Sequence, residues 1–253
     1  MGLVKIKGPT LVEIIEYRKQ AHKTRKHARP TFLILNKLWK KSRRNDEDVW
    51  DELTNYAHPT ESEHINGSAI KGAFRAFLLK RQQGRCCYCR CWLLAAAQAR
   101  HIEHILPRSS YRRFSLDFLN LTVACVDCNL AKSRRVWGNV PLDALVYPSQ
   151  NFFADMYHPR FHHYNEHVRY IAIETNDGAI SIYLGLTPQG RHLCLNLLDK
   201  IASKRALLNN NLELKDSMSE IEGYRNVVEK IGTPALDIFS EALNDRLTEL
   251  ING

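Results

Sequence analysis

Four of the seven cysteines are spaced so that they can hold a metal ion. They form two C-x-x-C pairs, separated by a segment long enough to fold back on itself. This is the spacing of a tetrahedral zinc site, in which each pair wraps one edge of the ion. Cys87 and Cys91 lie in the same stretch but have three residues between them. The predicted ligands of a structural Zn²⁺ are Cys86, Cys89, Cys125 and Cys128.

An acidic residue and a histidine, Glu103 and His104, lie between the two cysteine pairs. Asn129 directly follows the last cysteine. These residue types suit metal-assisted hydrolysis of a phosphodiester. The histidine can take a proton from water, while carboxylate and amide oxygens hold a hard cation such as Mg²⁺ or Mn²⁺. That cation would offset the negative charge that builds up on the phosphate and the leaving oxygen.

In order and spacing, the stretch resembles the HNH nucleases, which have the ββα-metal fold. The matching segments are CCYC at 86–89, EHILP at 103–107, Asn120-Leu121, and CVDCN at 125–129 followed by Lys132. The resemblance covers about 50 of the 253 residues. It implies an α+β chain, mainly helical around a ββα-metal core.

The resemblance also implies a role for each matched residue. His104 would be the general base, and Glu103 and Asn129 would ligate the catalytic metal. Asn120 would brace the loop between the two strands and orient His104. Glu103 stands where Asp is commoner in the family, which keeps an oxygen ligand but adds a methylene.

Basic residues are concentrated in the first half of the chain. Residues 1–45 contain 13 Lys or Arg against 2 Asp or Glu, and residues 71–135 contain 13 against 3, within a net charge of +9. Beside a phosphodiesterase motif, this distribution favours nucleic acid as the partner. The predicted phosphate contacts are Arg108, Arg112, Arg113, Lys132, Arg134 and Arg135.

The layout of the whole chain more loosely resembles the HNH proteins of bacterial defence systems of the Septu and retron-associated types. There the HNH protein pairs with an ATPase. No P-loop motif of the form G-x-x-x-x-G-K-[ST] occurs here, so the ATPase would be a separate chain. The alternative is a zinc-stabilised nucleic-acid-binding or regulatory module without catalysis.

Three regions are expected: a basic helical region at 1–67, the HNH core at 68–138, and a hairpin and helical region at 139–253. Within them we predict helices that follow Thr10, open at Pro30 and run from Asp46 to Tyr56, and a helix over 68–83 capped by Ser68. We also predict strands over 99–105 and 116–123, a helix over 127–135, and a helix that starts at Thr187-Pro188. A second hairpin turns at 176–178. The sequence shows no apolar run of about 18 residues and no secretory signal. We therefore expect a cytoplasmic protein without a membrane span.

Several histidines have no obvious place in the proposed chemistry. Four of them fall in HPRFHHYNEH at 158–167, without zinc-ligand spacing. The segment resembles an aromatic-rich bend downstream of the core in some HNH proteins, so a structural role is favoured over a second metal. His101 could assist with metal or phosphate, but a structural role is again favoured.

Overall fold

Three helices make up the N-terminal part of the described chain: α1 (Arg25–Asn45), α2 (Trp50–Thr54) and α3 (Gly67–Arg81). The computed structural model describes residues 16–17, 25–93, 100–175 and 178–209. The predicted helix that follows Thr10 and the helices expected after residue 209 therefore lie almost entirely outside the described residues.

A short antiparallel hairpin follows, and it contains the Glu103-His104 pair. Strand β1 (His101–His104) pairs with β2 (Leu121–Ala124), with Glu103 opposite Thr122 and His104 opposite Leu121. Two 3₁₀ turns, Arg112–Phe114 and Phe118–Asn120, lie in the connection. Helix α4 (Val126–Lys132) begins directly after β2. All four residues of β2 are buried, so the hairpin lies inside the core.

The second hairpin is longer. Strand β3 (Val168–Thr175) follows helix α5 (Tyr164–His167) and pairs in register with β4 (Gly178–Gly185). Helix α6 (Pro188–Leu193) starts as predicted, because the Thr187 hydroxyl accepts from the Gly190 N–H and Pro188 occupies the first turn. A π-helical stretch, Cys194–Leu198, leads into α7 (Asp199–Asn209), which packs on β4.

The helices lie close to their predicted positions, but they begin at different residues. Asn66, not Ser68, caps α3, because its side-chain oxygen accepts from the Ala69 N–H. Pro30, expected to open a helix, lies inside α1, so the helix tolerates the loss of one backbone donor. Helix α2 begins at Trp50 rather than at Asp46, which has a positive φ of 55° and cannot start a helix.

The strands and helix around the acid–histidine pair are shorter than the pattern predicted. The stretch 116–123 contains a 3₁₀ turn before β2, and α4 ends at Lys132 rather than at Arg135. The chain leaves α4 through Ser133, whose φ of 49° ends the helical geometry. No helix among the described residues combines the length and apolar character that a membrane span requires.

Candidate metal and nuclease centre

The four predicted cysteines meet at one point. Their sulfur atoms all lie within 4.8 Å of one another, and all four residues are buried. A Zn–S bond of about 2.3 Å places tetrahedral sulfurs about 3.8 Å apart, and Cys89 Sγ lies 3.7 Å from Cys125 Sγ. The donor set and its spacing therefore fit a structural Zn²⁺. Cys87 is not part of the cluster, and its backbone N–H instead bonds Val123 O at 3.0 Å.

Hydrogen bonds to sulfur surround the cluster. The Cys125 N–H lies 3.3 Å from Cys86 Sγ, and the Cys128 N–H lies 3.4 Å from Cys125 Sγ. Arg205, on α7, donates to Cys89 Sγ at 3.1 Å. These donors, together with the Arg205 cation, favour the thiolates that a zinc ion requires.

His104 is held at one ring nitrogen. Its Nε2 lies 3.0 Å from the backbone oxygen of Ser115. Because a carbonyl oxygen can only accept, Nε2 carries the proton, and the neutral ring has its lone pair on Nδ1. Trp50 packs edge-on against the ring at 4.6 Å between centroids. The imidazole is therefore fixed in one tautomer and one plane, with Nδ1 as its proton acceptor.

The surroundings of His104 are buried and positively charged. Burial, with smaller contributions from Arg108, Lys132 and Lys71, lowers the pKa of His104 to about 3. Lys71 itself lies with its ammonium 4.4 Å from the centre of the Trp50 ring. The imidazole is thus neutral near pH 7, and the nearby cations suit a site for an anion.

Glu103 lies in the core and has an internal partner. Its Oε1 is 2.6 Å from the ammonium of Lys132 and 3.4 Å from the Tyr88 hydroxyl. Lys132 also donates to the backbone oxygen of His104 at 3.1 Å and has no exposed surface. The prediction that Lys132 contacts phosphate is therefore wrong in this structure: one turn beyond Asn129, it faces β1 and pairs with Glu103.

Asn129 reaches the same strand. Its Nδ2 lies 3.4 Å from His101 Nδ1, and both residues are partly exposed. His101 and Glu103 point to the same side of β1, since side chains alternate along a strand. The oxygens of Glu103 and Asn129 suit a divalent ion, and His101 adds a nitrogen beside them. In chemical type these donors suit a divalent ion, and the Glu103 carboxylate is paired with Lys132.

Asn120 joins the two ends of the loop between β1 and β2. Its Oδ1 accepts from the Leu106 N–H at 2.7 Å, and its Nδ2 donates to Leu106 O and to Phe114 O. Phe114 directly precedes Ser115, whose carbonyl holds His104. The amide therefore fixes the backbone that sets the direction of the imidazole.

The predicted arginine contacts divide into two groups. Arg108 pairs with Asp48 at 2.7 Å and with Asp51 at 3.3 Å, and Arg113 lies 3.4 Å from Asp46. The others are exposed: Arg112, Arg134 and Arg135. The first two are held by acidic residues near α2, so a phosphate would have to compete for them. The exposed three are open to a polyanion.

Several residues that contact the site from distant positions in the chain were missed by sequence analysis. Trp50, Lys71, Ser115 and Arg205 touch His104, its surroundings or the cysteines, but belong to no motif. One signal was available for Lys132, because it lies three residues after Asn129, on the same face of a helix. Asn120 has one further partner, the hydroxyl of Tyr147, which in turn contacts His158.

With this geometry established, comparison with known proteins identifies the class of the domain. Residues 86–135 match the family model described as HNH endonuclease. The chain therefore contains an HNH endonuclease domain, which confirms the resemblance seen in the motif.

A curated relative extends the comparison. The chain is 30% identical over 66 residues to the Septu protein PtuB of Bacillus thuringiensis, a match that covers 25% of this chain and 26% of the relative. The aligned part thus spans about a quarter of that relative's length. It supports the resemblance to Septu-type proteins. No solved structure matches the chain.

Proposed function

We propose that the chain is a metal-dependent HNH endonuclease that hydrolyses phosphodiester bonds of nucleic acid, and that this nucleic acid is DNA rather than RNA. The observation that carries the proposal is the state of His104. Its Nε2 is tied to Ser115 O, so Nδ1 is the acceptor that remains on a neutral, fixed imidazole, next in sequence to Glu103. A general base needs this combination of fixed direction and available lone pair.

In the proposed reaction, His104 Nδ1 takes a proton from the attacking water. Glu103 and Asn129 would hold a Mg²⁺ or Mn²⁺ ion, which supplies positive charge to the phosphate and the leaving oxygen. A bound phosphate would also offset the cations that lower the pKa of His104 and so make it a stronger base. Exposed arginines near α4 would hold the flanking phosphates.

The cluster of Cys86, Cys89, Cys125 and Cys128 would have a structural role, with one Zn²⁺ bound. It lies at the start of α4, which bears Asn129, and next to β2, which pairs with the strand of Glu103 and His104, so it would fix both elements. Closed four-cysteine zinc sites lack an open position for substrate. The zinc would therefore stabilise the fold while a separate ion serves in the reaction.

The Septu-type similarity motivates a biological setting. We assign the chain to an anti-phage complex as its nuclease, acting with a separate ATPase subunit. The support is the similarity of 66 residues to a Septu protein. Purification of the tagged chain from its host would test the partner, with co-purified ATPase activity expected and an isolated chain contradicting it.

A second function has one observation in its favour. Lys132 already neutralises Glu103, as in a binding module that needs no catalytic metal. Mg²⁺ titration of wild type and Asn129→Ala by calorimetry separates the two. An endonuclease predicts binding that weakens in the variant, whereas a non-catalytic module predicts no binding by either protein.

Cleavage tests the endonuclease directly. Plasmid DNA, single-stranded DNA and total RNA would be incubated with Mg²⁺ or Mn²⁺ and with wild type, His104→Ala or His163→Ala. His163 is an exposed histidine outside the centre and serves as the matched control. We expect His104→Ala to lose at least about 100-fold in rate and His163→Ala to keep wild-type activity. Equal cleavage by all three would show that His104 is not the base.

A further inference from the structure

The HPRF segment at 158–161 contains none of the residues that act in the proposed hydrolysis. Its histidine, His158, is completely buried and packs against two phenylalanine rings that also contact each other. The ring centroids of Phe153 and Phe161 are 4.4 Å and 4.3 Å away. These two ring contacts and the complete burial restrict the position of the imidazole.

Hydrogen bonds fix the tautomer of His158. Its Nδ1 lies 3.2 Å from the backbone N–H of Arg160, so Nδ1 accepts and the proton of the neutral ring is on Nε2. Nε2 lies 2.9 Å from the hydroxyl of Tyr147. The only hydrogen that the ring can donate is therefore directed at Tyr147.

Tyr147 connects His158 to Asn120 of the nuclease centre through its hydroxyl group. Its hydroxyl accepts from His158 and so has its own proton free for Asn120 Oδ1, at 3.2 Å. Asn120 then has two donors on its oxygen and two acceptors on its nitrogen. This fills the hydrogen-bonding positions of the amide and excludes the flipped orientation, in which the Tyr147 proton would face an N–H group.

We propose that His158 and Tyr147 are positioning residues of the nuclease centre, which orient the Asn120 amide and through it the loop that directs His104. The inference rests on the proposed endonuclease function. Each link is a hydrogen bond with one possible donor, so the chain runs in a single direction from His158 to Asn120. It also explains why H-P-R-F occurs as a unit, since Arg160 and Phe161 hold the imidazole.

The test uses the full-length, zinc-loaded protein and the variant Tyr147→Phe, which removes one hydroxyl and keeps the ring. Tyr111→Phe is the matched control, because Tyr111 is also buried and donates to one backbone oxygen, that of Val140, at 2.7 Å. Tyr147→Phe loses two buried hydrogen bonds and Tyr111→Phe loses one, so both variants should lose stability and Tyr147→Phe somewhat more. Only Tyr147→Phe should lower kcat, by about ten-fold, with KM nearly unchanged.

A second pair of variants separates orientation from packing. His158→Gln retains an N–H donor and should retain part of the activity. His158→Phe keeps an aromatic ring without a donor and should fall to the level of Tyr147→Phe. If Gln and Phe at this position behave alike, the donor is not what matters and the proposal is overturned.

NMR provides a readout that does not depend on cleavage. The side-chain amide protons of Asn120 should exchange with solvent faster in Tyr147→Phe than in Tyr111→Phe. Equal exchange in the two variants would overturn the proposal, and so would faster exchange with unchanged kcat in an active enzyme. Equal cleavage by wild type and His104→Ala would instead refute the endonuclease, and the exchange rates would then decide whether His158 orients Asn120.

Discussion

The four-cysteine cluster and the Glu103–His104 centre are both buried groups of polar side chains, but they are neutralised differently. The cluster brings together four sulfurs that bind a metal as thiolates, and one nearby cation, Arg205, reaches it by a hydrogen bond. The other centre has a completely buried ammonium, that of Lys132, at 2.6 Å from its carboxylate. The first therefore depends on an ion from solution, whereas the second is neutralised by the chain itself.

Because of this difference, we expect one metal ion to be needed for folding and another for the reaction. Four buried thiolates without a cation repel one another and are poorly solvated, so loss of zinc should cost the fold. The acid–histidine centre can form before any divalent ion arrives, because Lys132 and Asn120 already satisfy its polar groups. A catalytic metal could then bind and leave without unfolding the domain, while the structural ion stays bound.

The largest expected effect is that of breaking the cluster. Cys128→Ser should reduce bound zinc from about one ion per chain to none and leave the domain unfolded, because metal binding in such sites supplies about 10 kcal/mol or more. Metal analysis of the purified protein and circular dichroism would measure this. Cys194→Ser is the control, since Cys194 is a buried cysteine outside the cluster. A folded, zinc-free Cys128→Ser protein would contradict the assignment.

Removing the internal cation should have the next largest effect. Lys132→Met keeps the length of the side chain but leaves Glu103 buried without its partner, at a cost of about 3–5 kcal/mol. Burial raises the pKa of Glu103 and Lys132 opposes that rise, so the variant should take up a proton at this carboxyl. Urea unfolding would measure the loss.

Two additions to that experiment show whether the pairing is the cause. Lys132→Met combined with Glu103→Gln should recover much of the lost stability, because no buried charge remains. Mg²⁺ should also stabilise Lys132→Met more than wild type, since the freed carboxylate can bind it. If the double variant were as unstable as the single one, lost packing rather than charge would explain the effect.

The sequence predicted the features that depend on local signals. Cysteine spacing located the metal cluster, alternating apolar residues located the β3–β4 hairpin, and Thr187-Pro188 located the start of α6. The partners of Glu103 and His104 could not be predicted in this way. Ser115 acts through its backbone oxygen, which any residue has, and Lys132 looks like a surface base until α4 is packed on β1.

Low pH should reduce the free energy of unfolding through His158, which supports the Glu103–His104 centre by way of Tyr147. Burial, followed by the charges of His162 and Arg160, holds the pKa of His158 well below 6.5, and Tyr147 faces it without a charge. Near and below pH 6.5 the unfolded chain therefore binds more protons than the folded chain. The contribution of His158 to the free energy of unfolding should be fully present above that pH and should decrease as the pH falls below it.

Urea unfolding at pH 7.5, 6.5 and 5.5, with zinc in excess, would measure this dependence. The difference between wild type and His158→Gln isolates the contribution of this histidine from those of other titrating groups. The stability advantage of wild type should shrink between pH 6.5 and 5.5. A constant advantage would mean that His158 does not titrate differently in the folded and unfolded chains.

The smallest expected effect comes from an exposed ion pair, Arg108 with Asp48, which can be compared with the buried pair of Lys132 and Glu103. Arg108 is paired with Asp48 at 2.7 Å, but its side chain is 38% exposed, so water screens the interaction. Arg108→Ala should therefore change stability by less than about 1 kcal/mol. If Arg108 exchanges Asp48 for a phosphate, the same variant should weaken nucleic-acid binding and reduce its salt dependence by about one ion. A loss of stability as large as that of Lys132→Met would show that burial is not what distinguishes the two pairs.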